Sequence, residues 1–452
     1  MQKLRDFFRN RWFKFALTAL CYLLWVIWMG SYWWLLGLII VFDIYITKKV
    51  RWAFWKKSNK GDGKRNILLE WVDAIIFALI AATFVKYFFF EAYMIPTSSM
   101  ENTLMTGDYL FVGKLRYGPK RPQHPLTIPL THNVILGKES YSRLIERPYK
   151  RMAGFRDVKR NDVVVFNFPH GDTVLVNFPT DDYYTHVRLN GRQSTLDHYG
   201  PVKVRPAGKE DNYVKRCVAL PGDTLHVRDG QVYVNGQPQP AIKGIRNTYT
   251  VVTDGQPFNQ RILEKYGISV AELYFDPKLP GYPGFPVNEN NAAALSKLRN
   301  VISITKNVDV YPPDYPDSPL MLFPFVSSSD FAWTRDNYGP LWIPAAGKTV
   351  SLTTATLPLY RRIITTYENH TLEVRDHTIL IDGQETNEYT FSQDYYFMMG
   401  DNRHNSLDSR YWGFVPEDRI VGTPALVWFS TDKNKPFPSN IRWSRIFKLK
   451  FK

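Results

Sequence analysis

At 452 residues the chain is too long for one ordinary domain and has room for about two or three. Its 44% hydrophobic content, 30 prolines and 27 glycines exclude a collagen, a coiled coil and a disordered chain, and its two cysteines, Cys21 and Cys217, exclude a disulfide framework or a four-thiolate zinc site. The net charge of +15 would suit a nucleic-acid partner, but residues 1–65 hold 13 basic and 3 acidic residues while the other 387 hold 44 and 39. The positive charge therefore belongs to the short, most apolar end of the chain, which points to a lipid bilayer and away from nucleic acid.

From Phe15 to Phe42, 28 residues pass without a charge. One helical span needs about 20 apolar residues, so this run is long for one span and tight for two. Gly30-Ser31 near its middle is a natural turn, and Trp25, Trp28, Trp33 and Trp34 around it can anchor at an interface. The pattern predicts a helical hairpin over about 13–29 and 32–47, with a re-entrant or interfacial hairpin as the alternative. A further apolar stretch, Trp71 to Phe90, carries only Asp73 and Lys86, both placed where a side chain can snorkel. Lys3, Arg5, Arg9, Arg11 and Lys14 precede the first run, and eight more cations lie between Lys48 and Arg65. Keeping both basic segments in the cytoplasm sends the first run out and back, and the third segment then exports everything after residue 91. Met29-Gly30-Ser31 runs straight into Tyr-Trp-Trp, which makes a poor cleavage site, so the N-terminus is expected to be retained.

Beyond residue 91 the chain reads as strands and turns. Asp162-Val-Val-Val-Phe166 and Gln231-Val-Tyr-Val-Asn-Gly236 are apolar or alternating and end at turn residues. Helical periodicity is scarce, with Asn290 to Arg299 the best short candidate. Leu225–Gln237 aligns with Leu372–Gln384 at an offset of 147, each reading as a strand, a turn and a second strand closed by Asn-Gly or Asp-Gly. Extended backwards, Tyr213 falls on Tyr360 and Lys215 on Arg362, so a duplicated β-unit and two convergent hairpins are both open. Between the copies, 240–355 is loop-rich, with Pro-Gly-Tyr-Pro-Gly-Phe-Pro at 280–286, and reads as an insertion.

Chemistry is carried by three stretches. The first is Ile95-Pro-Thr-Ser-Ser-Met-Glu-Asn-Thr-Leu104, which sets a Pro-bounded serine close behind the last apolar segment. Serine attacks only when a base takes its proton. No serine sits in a Gly-x-Ser-x-Gly elbow, the nine histidines are scattered, and Asn102 stands where a Ser-x-x-Lys motif at Ser99 would need lysine. A Ser-His-Asp triad stays open, and an uncharged lysine is the other kind of base. Lys215 interrupts an apolar strand ending in Pro-Gly-Asp223, where burial would favour its neutral form; a solvated or salt-bridged lysine is the alternative. The third stretch, Gly400-Asp-Asn-Arg-His-Asn-Ser-Leu-Asp-Ser-Arg410, offers Ser406 to orient a neighbour and Asp408 with Arg410 as a local pair, or is simply a structural turn.

Taken together these stretches resemble the type I signal peptidase family, membrane-bound serine proteases that remove signal peptides from exported proteins. The resemblance runs over about 70–121, 159–236 and 392–452. Pro96-Thr-Ser-Ser-Met100 is similar to the nucleophile box, with Ser99 as the attacking residue. Arg160-Asn-Asp-Val-Val-Val-Phe166 is similar to the strand box, Tyr213-Val-Lys-Arg216 with Leu220-Pro-Gly-Asp223 to the base box, and Gly400–Arg410 to the longest motif. It implies Lys215 as general base, the Ser99 amide and Thr97 hydroxyl as oxyanion donors, Ser406 orienting the lysine, and Asp408 with Arg410 bracing the site. Thr97 stands where many relatives have Ser or Gly, Asn102 replaces the usual proline, and 240–390 is longer than in compact relatives.

The fold expected is a mainly β, signal-peptidase-like exported catalytic domain with an inserted accessory β-rich region, anchored by N-terminal transmembrane helices. Residues 1–66 form a membrane hairpin and basic cytoplasmic loop, 67–92 a transmembrane helix, 93–239 and 391–452 the two parts of the catalytic domain, and 240–390 the insertion. The family resemblance implies a plasma-membrane enzyme, multi-pass, with its catalytic domain outside the cytoplasm. Its partners would be signal-peptide-bearing preproteins, the bilayer and the protein export machinery; no metal or cofactor is expected. The competing reading is a membrane-anchored, non-catalytic β-domain that binds exported chains or partners. Cys217 reads as a small buried residue, His404 as a loop residue without metal-ligand spacing, and the tail from Ile441 as either a lipid-touching segment or a last strand.

Overall fold

The computed structural model describes residues 10–30, 32–50, 67–169, 173–178, 182–268, 270, 273, 281–310, 318–326, 329–449 and 451. Two compact units divide the chain: Met1–Phe89 with Tyr117–Phe155, and Phe90–Arg116 with Arg156–Lys452. The basic arm 1–9 and the loop 51–66, on which the orientation argument rests, lie outside the described residues.

In the first unit the expected hairpin forms. Helix α1, Arg11–Met29, is capped by Asn10, whose Oδ1 accepts from Trp12 N at 2.9 Å. It stops at Gly30, which takes φ +59° and returns its N–H to the Val26 and Ile27 carbonyls at 3.0 Å. The return arm is less regular: a 3₁₀ turn over Tyr32–Leu36, helix α2 over Gly37–Phe42, and a widened turn over Asp43–Thr47. The arms cross closely, since a Cβ on Gly37 would lie 2.1 Å from the Tyr22 hydroxyl. Helix α3, Ile67–Phe88, is apolar apart from Glu70 and Asp73 near its start and Lys86 near its end. Arg11–Met29 and Glu70–Phe88 are long and apolar enough to cross a membrane, whereas Trp34–Thr47 is shorter. At 1.5 Å per residue its 14 residues (34 to 47) reach about 21 Å, short of a bilayer's apolar core of about 30 Å.

The second unit is mainly β. Its central sheet has seven strands: β1 Phe90–Met94, β2 Asp108–Gly113, β3 Val163–Asn167, β4 Asn212–Ala219, β5 Tyr395–Met399, β6 Val415–Pro416 and β7 Ile420–Ser430. They lie in the order β1-β2-β7-β3-β4-β5-β6, every pair antiparallel. The continuous apolar run Val163–Phe166 is buried along its length, as a strand covered on both faces requires. One core gathers Met100, Leu104, Leu110, Val163, Val165 and Val427; a larger one holds Val218, Leu225, Tyr338, Ile364, Phe397 and Phe414.

The repeat at offset 147 is real but short. Thr224–Arg228, Gln231–Val234 and Gln237–Pro238 form one meander, and Leu372–Arg375, Thr378–Ile381 and Gln384–Glu385 another. Asp229-Gly230 and Asp376-His377 both take φ near +48° and +75°, the mirror-image turn that tight hairpins favour. The backward extension fails: Tyr213 and Lys215 are on strand β4, while Tyr360 and Arg362 are on helix Leu357–Arg362. Similar hairpin chemistry, not a longer duplicated unit, accounts for the match.

Within the expected insertion 240–390, the packing is divided. Asn247–Thr253, Gly281–Val287 and Val301–Lys306 form a three-stranded sheet with helix Glu289–Leu295 and their own core of Tyr249, Val251, Phe285 and Leu295. By contrast, Tyr338–Trp342 pairs with Thr224–Arg228, and Leu352 to Phe391 share the large core with 218–234. The proline-rich run expected as loop is an edge strand from Gly281 onward, the one place in a sheet where missing N–H donors are tolerated. The tail is no strand either: Trp443–Arg445 is a 3₁₀ turn, and Arg445 Nε donates to the buried Asp108 carboxylate at 2.8 Å. If the three-stranded lobe is self-contained, Phe285→Ala, a loss of about 3–5 kcal/mol of local packing, will strip hydrogen-exchange protection from 247–306 and leave β5 protected.

Candidate active site

The serine segment is held at both ends. Ile95 exchanges backbone bonds with Asp108 and Gly107 at 2.9 Å, and between them 98–104 winds into a turn closed by Leu104 N to Met100 O at 2.8 Å. Met100 and Leu104 point this turn into the core, leaving Ser99 at 8% exposure and Thr97 exposed. Asn102 sits at φ +72°, which asparagine tolerates and proline, fixed near −65°, cannot adopt. The departure from the family's usual proline thus goes with a different local backbone, tied by Asn102 Nδ2 to Gly244 O at 3.4 Å.

Strand β4 brings the lysine. Lys215 pairs with Val164 of β3, and its Nζ lies 2.6 Å from Ser99 Oγ, the residue being 3% exposed. Burial pushes its pKa down to about 8, against the pull of the Asp408 and Asp401 carboxylates upward. The Tyr213 ring stands 5.6 Å from Nζ. The Thr97 hydroxyl is 3.5 Å from Ser99 Oγ.

The loop after β5 closes the site from the other side. Asn402 N donates to Ser99 O at 3.1 Å and its Nδ2 to Ser98 O at 3.2 Å, so the nucleophile's backbone is pinned by this loop. Asp408 and Arg410 are fully buried and fork together at 2.9 and 2.8 Å. Burial alone would raise the Asp408 pKa; Arg410 and the Gly400 N–H, at 3.0 Å, bring it below the carboxylate range. Ser406, expected to orient the lysine, donates its hydroxyl to the Leu407 carbonyl at 3.4 Å and lies on the same side of Gly400 as the Ser99 carbonyl. A Cβ on Gly400 would meet Ser406 Oγ at 2.1 Å and Ser99 O at 2.7 Å.

Other residues of the site carried no role in the sequence reading. Arg216, next to the lysine, forks Asp401 at 2.7 and 2.6 Å, and Asp401 also takes the Thr103 hydroxyl at 2.5 Å. Both partners lay inside quoted motifs, but nothing local links two residues 185 apart. His404 is more than a loop residue: Nε2 meets Asp336 at 2.8 Å, Nδ1 accepts from Thr248 N at 3.1 Å, and Asp309, Asp336 and His404 bring ligand atoms within 4.8 Å. Arg335 already forks Asp309 there, which sets a cation against any metal. Cys217 is buried, as expected of a small apolar residue.

Residues 68–276 and 347–429 match the pattern of the signal peptidase family, peptidase S26. The chain belongs to this family and is an enzyme of the type I signal peptidase class. It is 24% identical to Signal peptidase I of Buchnera aphidicola from Acyrthosiphon pisum over 383 residues, 82% of this chain and 79% of the relative. It is 24% identical to Signal peptidase I of Haemophilus influenzae over 374 residues (82% and 73%), and 23% identical to that of Helicobacter pylori strain 26695 over 392 (84% and 90%). The signal peptidase match holds Thr97, Ser99 and Lys215 in its first part and Ser406, Asp408 and Arg410 in its second; 277–346, with two strands of the small lobe, falls outside it.

Two variants test this architecture. Asp408→Asn leaves Arg410 buried without its counter-charge, and thermal melting will report a loss of about 3–5 kcal/mol. Gly400→Ala drives a methyl against the Ser99 carbonyl, so kcat will fall at least about tenfold while KM changes little.

Proposed function

We propose that this peptidase is a membrane-bound serine endopeptidase that removes N-terminal signal peptides from exported preproteins through a Ser99–Lys215 dyad. The observation that carries the reading is the 2.6 Å contact between Ser99 Oγ and a buried Lys215 Nζ. Neutral Nζ accepts the Ser99 proton as Oγ attacks the scissile carbonyl. The Ser99 N–H and the Thr97 hydroxyl hold the oxyanion, and Lys215 then gives its proton to the departing amine. Water enters, yields a proton to the same amine and cleaves the acyl-enzyme, returning Ser99. Asp408–Arg410 and Arg216–Asp401 keep the surroundings rigid, and Ser406 supports the Gly400 turn instead of the lysine.

The same proposal includes the bilayer. Helices of spanning length precede β1, and β1, β2 and β7 expose Phe90, Met94, Phe111 and Trp428 on the catalytic unit, with Phe111 and Trp428 stacked at 6.0 Å. Such a surface suits contact with lipid, and tethering would raise the effective concentration of a membrane-bound substrate at Ser99. The basic N-terminal segments favour a cytoplasmic side for themselves and an external side for the catalytic unit, where export machinery delivers preproteins. The small lobe at 247–306 is read as accessory. A non-catalytic binding domain would have no use for a dehydrated amine beside a serine.

Cleavage of a purified preprotein in detergent micelles tests this: the intact chain cleaves, while Ser99→Ala and Lys215→Met do not, although both keep the parent melting curve. Cleavage by either variant sinks the dyad. Because the base must be neutral, kcat/KM will fall about tenfold per pH unit below a pKa of about 8 and level off above it.

A further inference from the structure

In the two segments 215–216 and 400–410, three guanidiniums face two carboxylates. Asp401 is taken by Arg216 and Asp408 by Arg410. Arg403 is the surplus. It is 3% exposed, and its Nε has no hydrogen-bond partner among the described residues. Burial pushes its pKa down to about 10, with Arg410 adding to the push. Buried arginines are ordinarily paired, because an uncompensated buried charge costs several kcal/mol.

Arg403 lines a cleft of about 410 Å³ bounded by Gly230–Val232, Gln239–Lys243, Asn247, Asn288–Asn290 and Lys306. Lys243 and Lys306 add two cations to its walls, against Glu289 alone. Asn247, on the same wall, has a buried Oδ1 without a partner among the described residues. The cleft borders the nucleophile's turn. Gly244, between the lining residues Lys243 and Ile245, is so close to Thr103 that a Cβ would lie 2.6 Å from Oγ1. Arg403 N bonds Arg246 O at 2.9 Å while its neighbour Asn402 holds Ser99.

We propose that this cleft binds an acidic side chain of the exported polypeptide, with Arg403 as the carboxylate's partner and Lys243 and Lys306 around it. The planar guanidinium fork matches a carboxylate, and the unpaired Asn247 oxygen matches a main-chain N–H, which a peptide offers and a phosphate does not. The site gives the enzyme a specificity determinant away from the scissile bond, and rests on the peptidase reading.

The test uses the full chain in detergent micelles and a preprotein series in which one Glu, or one Gln, is walked through the first ten mature positions. At one position Glu is cleaved about tenfold better than Gln, the range of a charge-assisted hydrogen bond. Arg403→Met brings the Glu/Gln ratio to about one, and Arg403→Lys restores part of it. No preference at any position, or a preference that survives Arg403→Met, overturns the proposal. So does an Arg403-dependent response to anionic phosphatidylglycerol vesicles with no response to the substrate's Glu, which would assign the cleft to a headgroup phosphate. If Arg403→Met does not fold, Lys243→Gln and Lys306→Gln take its place, each lowering the ratio about threefold; an unchanged ratio in both overturns it. A fluorescein-labelled peptide of the preferred sequence, titrated onto Ser99→Ala by anisotropy, reads the cleft without cleavage. Arg403-dependent binding there, with no cleavage by the intact enzyme, would refute the peptidase reading and leave the cleft standing.

Discussion

An amine can stay neutral in a folded protein only where water is kept from it and where nearby carboxylates are already answered by other cations. Lys215 meets both conditions. It is 3% exposed, and the two acids that would draw a proton back onto it, Asp408 and Asp401, are each forked by an arginine. Remove either arginine and the remaining carboxylate would raise the lysine toward its ordinary charged state. The sheet order follows from the same need, because β4 must lie between β3 and β5 to carry Lys215 and Arg216 beneath the loop that follows β5. What looks like a set of separate motifs is one charge arrangement built from two distant segments, β4 and the loop after β5.

That arrangement also explains why the loop 400–410 holds so many buried polar residues. Its backbone pins Ser98 and Ser99, its carboxylates hold the two arginines, and Gly400 lets the Ser99 carbonyl and Ser406 approach with no side chain between. Its charged side chains Asp401, Asp408 and Arg410 pair within the loop or with Arg216 of β4, and His404 pairs with Asp336, which leaves Arg403 as the loop's unpaired charge. A structural turn would have no reason to leave a buried guanidinium over, which is why the cleft beside it reads as a place for a partner brought from outside.

Much of this was legible in the sequence because local chemistry carries it. The uncharged run broken at Gly30, the Asp229-Gly230 and Asp382-Gly383 hairpins, and the buried Val163–Phe166 strand are each decided within a few residues. Ser99 and Lys215 stood out as candidates through the motifs that resemble the family's boxes, and the fold brings the two side chains together. What was not legible depends on contacts between distant positions. No spacing links Arg216 with Asp401, or His404 with Asp309 and Asp336. The prolines of 283 and 286 read as loop because their use on an edge strand depends on which neighbour the strand lacks. The partner of the Ser406 hydroxyl was not legible for a like reason: it faces Leu407 across a turn whose shape only the folded loop reveals.

The central claim is that burial lowers the pKa of Lys215 far enough to make its neutral amine available as a base. The most direct measurement is the titration of its Nζ in the folded, full-length protein in detergent, followed by the ¹³Cε shift of selectively labelled lysine and assigned with Lys215→Met. The account predicts a midpoint near 8 for this one lysine. A midpoint near the ordinary lysine value of about 10.4 would contradict it, and with it the role assigned to the buried dyad.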